Sequence, residues 1–244
     1  MNKNNLNKFT ELVKKYKIIY FDNNWKISFP SENFIKYPYK LKNEEVILSF
    51  TNNIYIVYNT KTKLVKCFFN NDIDYVQSEY FINDFTINNG YIDYCLKYVI
   101  LNKVRLSNCL ILGLGIGNIP NALIQKFNSK INLIDCVEIN KTLCIIYETF
   151  FNISKKIKIY NEKAEIFILN KSKLYDYMFI DIPCFVITNK FMKNIYKISK
   201  KNCIIQINLI GVGINKIDFN KIFRDFIIIT RKIIDENNIY IITK

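Results

Sequence analysis

The order of segments predicts an α/β chain: a doubly wound, mostly parallel sheet closed by an antiparallel hairpin, with a small antiparallel β domain ahead of it. Three observations carry this expectation. From Cys109 onward, short apolar runs alternate with segments of helical period, the pattern of successive βα units. The first of these runs, Cys109–Leu112, breaks into Gly113-Leu-Gly115-Ile-Gly117, which uses three of the chain's six glycines. After the last helical segment come two β-rich runs, 226–230 and 239–243, joined by the polar turn Asp235-Glu-Asn-Asn238.

The elements follow in order. Residues 1–15 carry Leu6, Phe9 and Leu12 on one helical face and predict a short helix or arm. Between Lys17 and Gln77 the runs 18–21, 46–50, 54–58 and 64–69 are rich in β-branched and aromatic residues. Asn-rich turn clusters separate them, the signature of antiparallel hairpins. The domain boundary falls at 80: residues 1–80 form the arm and small β domain, 81–244 the larger α/β unit. Within the latter, helices are expected over 91–101, 119–127, 141–151, 164–169, 188–198 and 214–223. Strands are expected over 109–112, 131–137, 156–160, 177–182 and 203–210. Pro120 suits the first turn of its helix, where a missing N–H costs nothing.

Composition narrows the function classes. At 244 residues and 50% hydrophobic content the chain buries a substantial core. No apolar run approaches the ~20 residues of a membrane span, and Met-Asn-Lys-Asn-Asn is followed by no signal-peptide h-region. Seven scattered cysteines without a Cys-x-x-Cys pair suit reduced thiols, so a cytoplasmic location is expected. The net charge of +14 is carried almost wholly by lysine, with Arg105, Arg224 and Arg231 the only arginines. Arginine is the residue for bidentate phosphate and base contacts, so specific nucleic-acid binding is not expected. Histidine is absent, which removes histidine-based metal sites, Ser-His triads and Cys-His dyads; no metal is expected.

In a doubly wound sheet a ligand lies at the carboxyl ends of the strands. Gly113, Gly115 and Gly117 form one wall there, where missing Cβ atoms let backbone N–H groups approach an anionic or polar ligand. Glu138 ends the second strand, 21 residues after Gly117, in the position of a carboxylate that accepts from ribose hydroxyls. Asp135 lies inside the strand and is the weaker choice. The fourth strand delivers Asp181, then Pro183, to the same edge in Tyr175-Asp-Tyr-Met-Phe-Ile-Asp181. Asp181 is read either as a catalytic carboxylate or as a turn cap.

These segments resemble the spermidine synthases (polyamine aminopropyltransferases), and the closing hairpin resembles the class I S-adenosylmethionine-dependent methyltransferase-type Rossmann fold. The resemblance spans about residues 46–244 and adds several positions. Leu64–Gln77 resembles a family hairpin whose glutamine leads into the substrate site, and Tyr91 matches a substrate-lining tyrosine. The family thus implies substrate contacts from Gln77, Tyr91 and Asp93, an adenine contact from Glu162, and a homodimer. It implies aminopropyl transfer from decarboxylated S-adenosylmethionine to a diamine such as putrescine, or another small polyamine or amine acceptor. The amine attacks the methylene beside the sulfonium while a carboxylate takes its proton.

The chain departs from that pattern at four places, one of them Ile92, where the family has a polar residue after the tyrosine. Ile116 stands where the family's loop has an amine-binding aspartate, and Lys163 aligns with the adenine-contacting one, flanked by Glu162, which takes that contact on a one-residue slip, and by Glu165. The Asp181-Ile-Pro183 stretch is two residues shorter than the family segment and keeps one carboxylate instead of two. A charge-assisted hydrogen bond contributes about 1.5–3 kcal/mol, so two lost carboxylates weaken a dicationic substrate by orders of magnitude. Two alternatives stand beside aminopropyl transfer. One is a methyltransferase using S-adenosylmethionine itself; the other is a catalytically degenerate nucleotide-binding or partner subunit.

Overall fold

The protein is described here by a computed structural model covering residues 18–21, 24–27, 45–51, 54–59, 61–69, 76–83, 85, 90–210, 218–234 and 237–244. The helix expected over 1–15 lies outside the described residues, as does most of the segment before Phe219.

Two small antiparallel units come first. Strands β1 (Ile18–Phe21) and β2 (Asn24–Ile27) form a two-stranded ribbon. Strands β3 (Glu45–Thr51), β4 (Ile54–Asn59), β5 (Leu64–Phe69) and β6 (Val76–Phe81) follow as a four-stranded meander. The sequence pattern marks β3 to β5; β6 is less apparent because Val76-Gln-Ser-Glu-Tyr-Phe81 mixes polar residues into a half-buried strand.

The larger unit opens with helix α1 (Tyr91–Leu101) and strand β7 (Asn108–Leu112). It continues with α2 (Asn118–Phe127), β8 (Leu133–Glu138), α3 (Lys141–Ile146) and β9 (Ile157–Asn161). Then come α4 (Ala164–Leu169), β10 (Tyr175–Asp181), α5 (Asn189–Ile198) and β11 (Ser199–Leu209). The chain closes with α6 (Phe219–Ile222), β12 (Ile227–Ile234) and β13 (Asn237–Thr243). Seven strands lie in the order β12-β13-β11-β10-β7-β8-β9, with β7 to β11 parallel and only the closing hairpin antiparallel. The predicted α/β class and closing hairpin are therefore observed.

Several boundaries differ: β11 begins at Ser199 rather than 203, β12 runs on to Ile234 rather than 230 and β10 begins at Tyr175 rather than 177, and two further differences have physical reasons. A 3-10 turn at Asn128–Lys130 delays β8 to Leu133, so the expected start at Ile131 is two residues early. The helix expected over 141–151 is α-helical only to Ile146; Tyr147–Phe151 widens into a π turn, inserting one residue per turn.

Both faces of the sheet are covered, which explains why β7 and β10 read as continuous apolar runs rather than alternating ones. One face buries Cys109, Ile111, Tyr177 and Phe179 against α1, α2, α3 and the meander, which contributes Ile56, Val65 and Tyr80 to the same core. The other buries Leu110, Leu112, Met178 and Ile180 against α4 and α5. The helices sit where their sequences dictate: Asn140 caps α3 by accepting from the N–H groups of Thr142 and Leu143, and Thr188 caps α5 from Phe191.

Candidate functional site

The carboxyl ends of β7, β8 and β10 meet around two adjoining cavities of about 440 and 320 Å³. Gly113, Glu138, Asp181, Ile182 and Pro183 line both and form the wall between them. Together they have the size of a site for a ligand of nucleoside dimensions or more.

The glycine loop turns sharply after Leu112, and its glycines have identifiable jobs. A Cβ on Gly113 would stand 2.0 Å from the carbonyl oxygen of Asp181, and one on Gly117 would stand 1.8 Å from the ring of Tyr147. Both also have positive φ, at +88° and +82°. The expected role of these two as a cradle for a ligand is thus joined by a packing role: they let β10 and α3 approach the loop. Gly115 lines the larger cavity and faces Ser78 of β6. Ile116 points inward and is fully buried, and its carbonyl accepts from Tyr80 at 3.3 Å. Asn118 donates across to the Glu79 carbonyl at 3.4 Å, so the meander is tied directly to the loop.

Glu138 is 8% exposed and holds the two adjacent loops in register. Its Oε2 accepts from the Leu114 N–H at 3.0 Å, and its Oε1 from the Asn140 N–H at 2.8 Å. A carboxylate has about four acceptor sites, so capacity remains for ligand hydroxyls. The Glu162 N–H donates to the Glu138 carbonyl, and Glu162, Lys163 and Glu165 border the smaller cavity. At its mouth stand two large apolar side chains in solvent, Ile139 at 66% exposure and Phe185 at 78%. Such a pair suits the two faces of a flat heterocycle.

Asp181, at the end of β10, is held by neutral donors: the Tyr91 hydroxyl donates to Oδ2 at 2.7 Å and the Asn208 amide to Oδ1 at 3.0 Å. Burial raises its pKa and the nearby Glu138 carboxylate adds to the rise, while the Tyr91 and Asn208 hydrogen bonds oppose it. Tyr91 is itself pushed well up by burial and by the adjacent aspartate. The helix that carries Tyr91 is anchored to β11, where Gln206 donates to the Cys95 carbonyl at 3.1 Å. Burial also raises the thiols of Cys67, Cys95, Cys109 and Cys136, so none of these four is a thiolate nucleophile at neutral pH.

The structure therefore brings together Gly113, Gly115, Glu138, Asp181, Gln77 and Tyr91 around the larger cavity and places Glu162 on the smaller. Gly117 stands just behind, under Tyr147. Asp93 borders neither cavity; its carboxylate pairs with Lys97, one helical turn on, at 2.7 Å. Residues that sequence reasoning passed over are Ser78, Asn118, Phe185 and Asn208. A signal for Asn208 was available, since Gln206 and Asn208 are two polar residues at strand period inside an otherwise apolar run.

No family model and no curated protein matches the chain at a significant level. Solved structures do. Human methyltransferase-like protein 13, in complex with SAH, superposes with a TM-score of 0.50 at 17% identity over 60% of this chain and 74% of that one. The candidate methyltransferase yhhF from Escherichia coli gives 0.51 at 10% identity over 62% and 84%. The fold is the class I methyltransferase fold. The likeness, over about three fifths of this chain, is one of fold. No helix among the described residues is long and apolar enough to cross a membrane.

Proposed function

We propose that the protein is an S-adenosylmethionine-dependent transferase, with methyl transfer to a small amine as the leading reading. One observation carries it. In a chain of net charge +14, the two carboxylates at the cavities, buried Glu138 and half-buried Asp181, meet only neutral donors among the described residues. Among the described residues the larger cavity has no lysine or arginine in its wall, and Lys163 at the smaller one pairs with neither carboxylate. Buried negative charge without an internal cation is costly unless a ligand brings the positive charge. A sulfonium with an ammonium tail, followed by an amine acceptor, supplies it.

The residues take roles from their positions. Glu138 accepts from the ribose hydroxyls, and Ile139 and Phe185 flank the adenine. The N-terminus of α2, a ten-residue helix whose N-cap Gly117 offers no side-chain cap, favours a carboxylate. That preference supports S-adenosylmethionine over its decarboxylated form. Bound, the donor supplies an electrophilic methyl group on sulfur. Attack by the acceptor nitrogen forms the N–C bond as the C–S bond breaks, leaving the electron pair on sulfur. Asp181 takes the proton that the new ammonium releases.

Aminopropyl transfer to a diamine is the second reading, supported by the convergence of Gln77, Tyr91 and Asp181 on one cavity. Calorimetric titration separates the two. S-adenosylmethionine binding more tightly than its decarboxylated analogue supports methyl transfer, and the reverse order supports aminopropyl transfer. Binding of neither, nor of methylthioadenosine, sinks both. Glu138→Ala should lower nucleoside affinity by about two orders of magnitude through the loss of charge-assisted hydrogen bonds. Unchanged affinity would remove Glu138 from the site.

A further inference from the structure

Asn208 is 1% exposed, at the carboxyl end of β11, directly across the parallel ladder from Asp181. Its Nδ2 donates to Asp181 Oδ1 at 3.0 Å and to Asn237 Oδ1 at 2.9 Å. Asn237 is the first residue of β13, so the closing hairpin fixes the amide that fixes the aspartate. The Oδ1 of Asn208 has no hydrogen-bond partner among the described residues. A buried amide oxygen left unpaired costs free energy, and such a cost persists where the surroundings over-determine the side chain. Here both amide hydrogens are committed to two acceptors on either side, which holds the oxygen where nothing meets it.

We propose that Asn208, clamped by Asn237, is a positioning residue that holds Asp181 ionised and aimed into the shared wall of the two cavities. The proposal deepens the reading in which Asp181 serves a cationic ligand, and rests on it. The other groups facing Asp181 do not perform this task. The Tyr91 hydroxyl, from α1, lies on the other carboxylate oxygen, where an entering ammonium competes with it. Glu138, from β8, repels the aspartate charge, and the buried Cys95 of α1 remains a neutral thiol. Among the described residues Asn208 alone donates to Oδ1, and it does not line the cavity, so its effect persists when a ligand displaces Tyr91. Asn208 does not touch the ligand; it acts through the aspartate.

The test follows Asp181 directly. With carboxyl-¹³C aspartate, the Asp181 resonance is assigned by its loss in Asp181→Asn and followed against pH in the full-length chain. Asn208→Leu, which keeps volume and removes the donor, should move the titration midpoint up by about one pH unit. Asn208→Asp, which sets a carboxylate against a carboxylate, should move it further. Asn237→Ala, which frees the amide, should move it in the same direction by less, and it decides the matter if Asn208→Leu does not fold. Asn208→Gln, retaining a donor, should recover part of the loss. S-adenosylmethionine affinity measured in parallel should fall about tenfold in Asn208→Leu below the new midpoint and match the wild type above it. A midpoint unmoved in folded Asn208→Leu or Asn237→Ala overturns the proposal. Failure of the wild type to bind S-adenosylmethionine instead overturns the functional reading and leaves the titration result standing.

Discussion

The two ends of the central sheet treat buried carboxylates in opposite ways. At the amino ends of the strands, Asp176 is met by Arg105 at 3.1 Å, Lys200 at 2.8 Å and the Asn108 N–H at 3.0 Å. Asp135 there accepts from Lys173 at 2.9 Å and the Tyr175 hydroxyl at 2.7 Å. At the carboxyl ends, Asp181 and Glu138 have a phenol, an amide and backbone N–H groups, and no cation among the described residues. Lysine is abundant in this chain, so scarcity does not explain the difference. The amino-end carboxylates are complete in charge, each paired with lysine or arginine, although Asp135 Oδ1 has no hydrogen-bond partner among the described residues; those at the carboxyl ends have no such pairing there. The proposed function assigns the ligand to the end where the charges are unfinished.

This contrast is broken or sharpened by substitution. The largest effect is expected at the complete end. Asp176→Ala leaves the Asn108 N–H without its acceptor and frees the exposed Arg105 and the partly exposed Lys200, and should cost about 2–4 kcal/mol of stability, read by urea unfolding. Ligand affinity of the folded fraction should not change. A loss of S-adenosylmethionine binding in folded Asp176→Ala would refute the division of labour.

Gly117→Ala should come close behind. Strain at positive φ and collision with the Tyr147 ring together cost about 2–4 kcal/mol. In a Tyr147→Leu background the added cost should shrink to the strain, about 1–2 kcal/mol. An undiminished penalty there would mean that the ring contact is not what requires glycine.

At the unfinished end, Asp181→Asn should separate stability from binding. The folded-state pKa of Asp181 is raised, so the native protein binds more protons than the unfolded chain between the ordinary aspartate value and the raised one. The wild type therefore loses stability as pH rises through that window, and Asp181→Asn should abolish that loss and melt higher at neutral pH. Affinity for the cationic donor should rise with pH over the same window in the wild type and be low and pH-independent in the variant. A melting temperature lowered by Asp181→Asn would place this aspartate with the structural pair instead. The smallest effect is expected of Phe185→Ala, about a three- to tenfold weaker nucleoside affinity with no change in melting temperature.

Much of this arrangement was legible in the sequence because it is local. The run into Gly113, the strand ending at Glu138 and the strand ending at Asp181 are read from periodicity and turn residues over ten or so positions. What was not legible depends on contacts between distant segments. The reason for Gly117 lies thirty residues on, in Tyr147, and the reason for Gly113 lies in the carbonyl of Asp181. The π turn at Tyr147–Phe151 has helical composition throughout, so period alone could not show it. Asp93 follows Tyr91 closely in sequence, yet it lies on another helix face, where Lys97 one turn on takes its charge. Asn208 acts only through Asp181, a partner 27 residues away on the neighbouring strand.

The close fit of Gly117 under Tyr147 also constrains history. Any descendant of this chain that places a side chain at 117 must already have reduced the ring at 147, whereas the reverse order passes through only a cavity. The tyrosine hydroxyl, which donates to Asn121 at 2.7 Å inside α2, makes even that first step unfavourable. The pair forms an epistatic lock: sequence drift around the loop has one open direction, and the glycine is retained through its neighbour whether or not a ligand is ever bound.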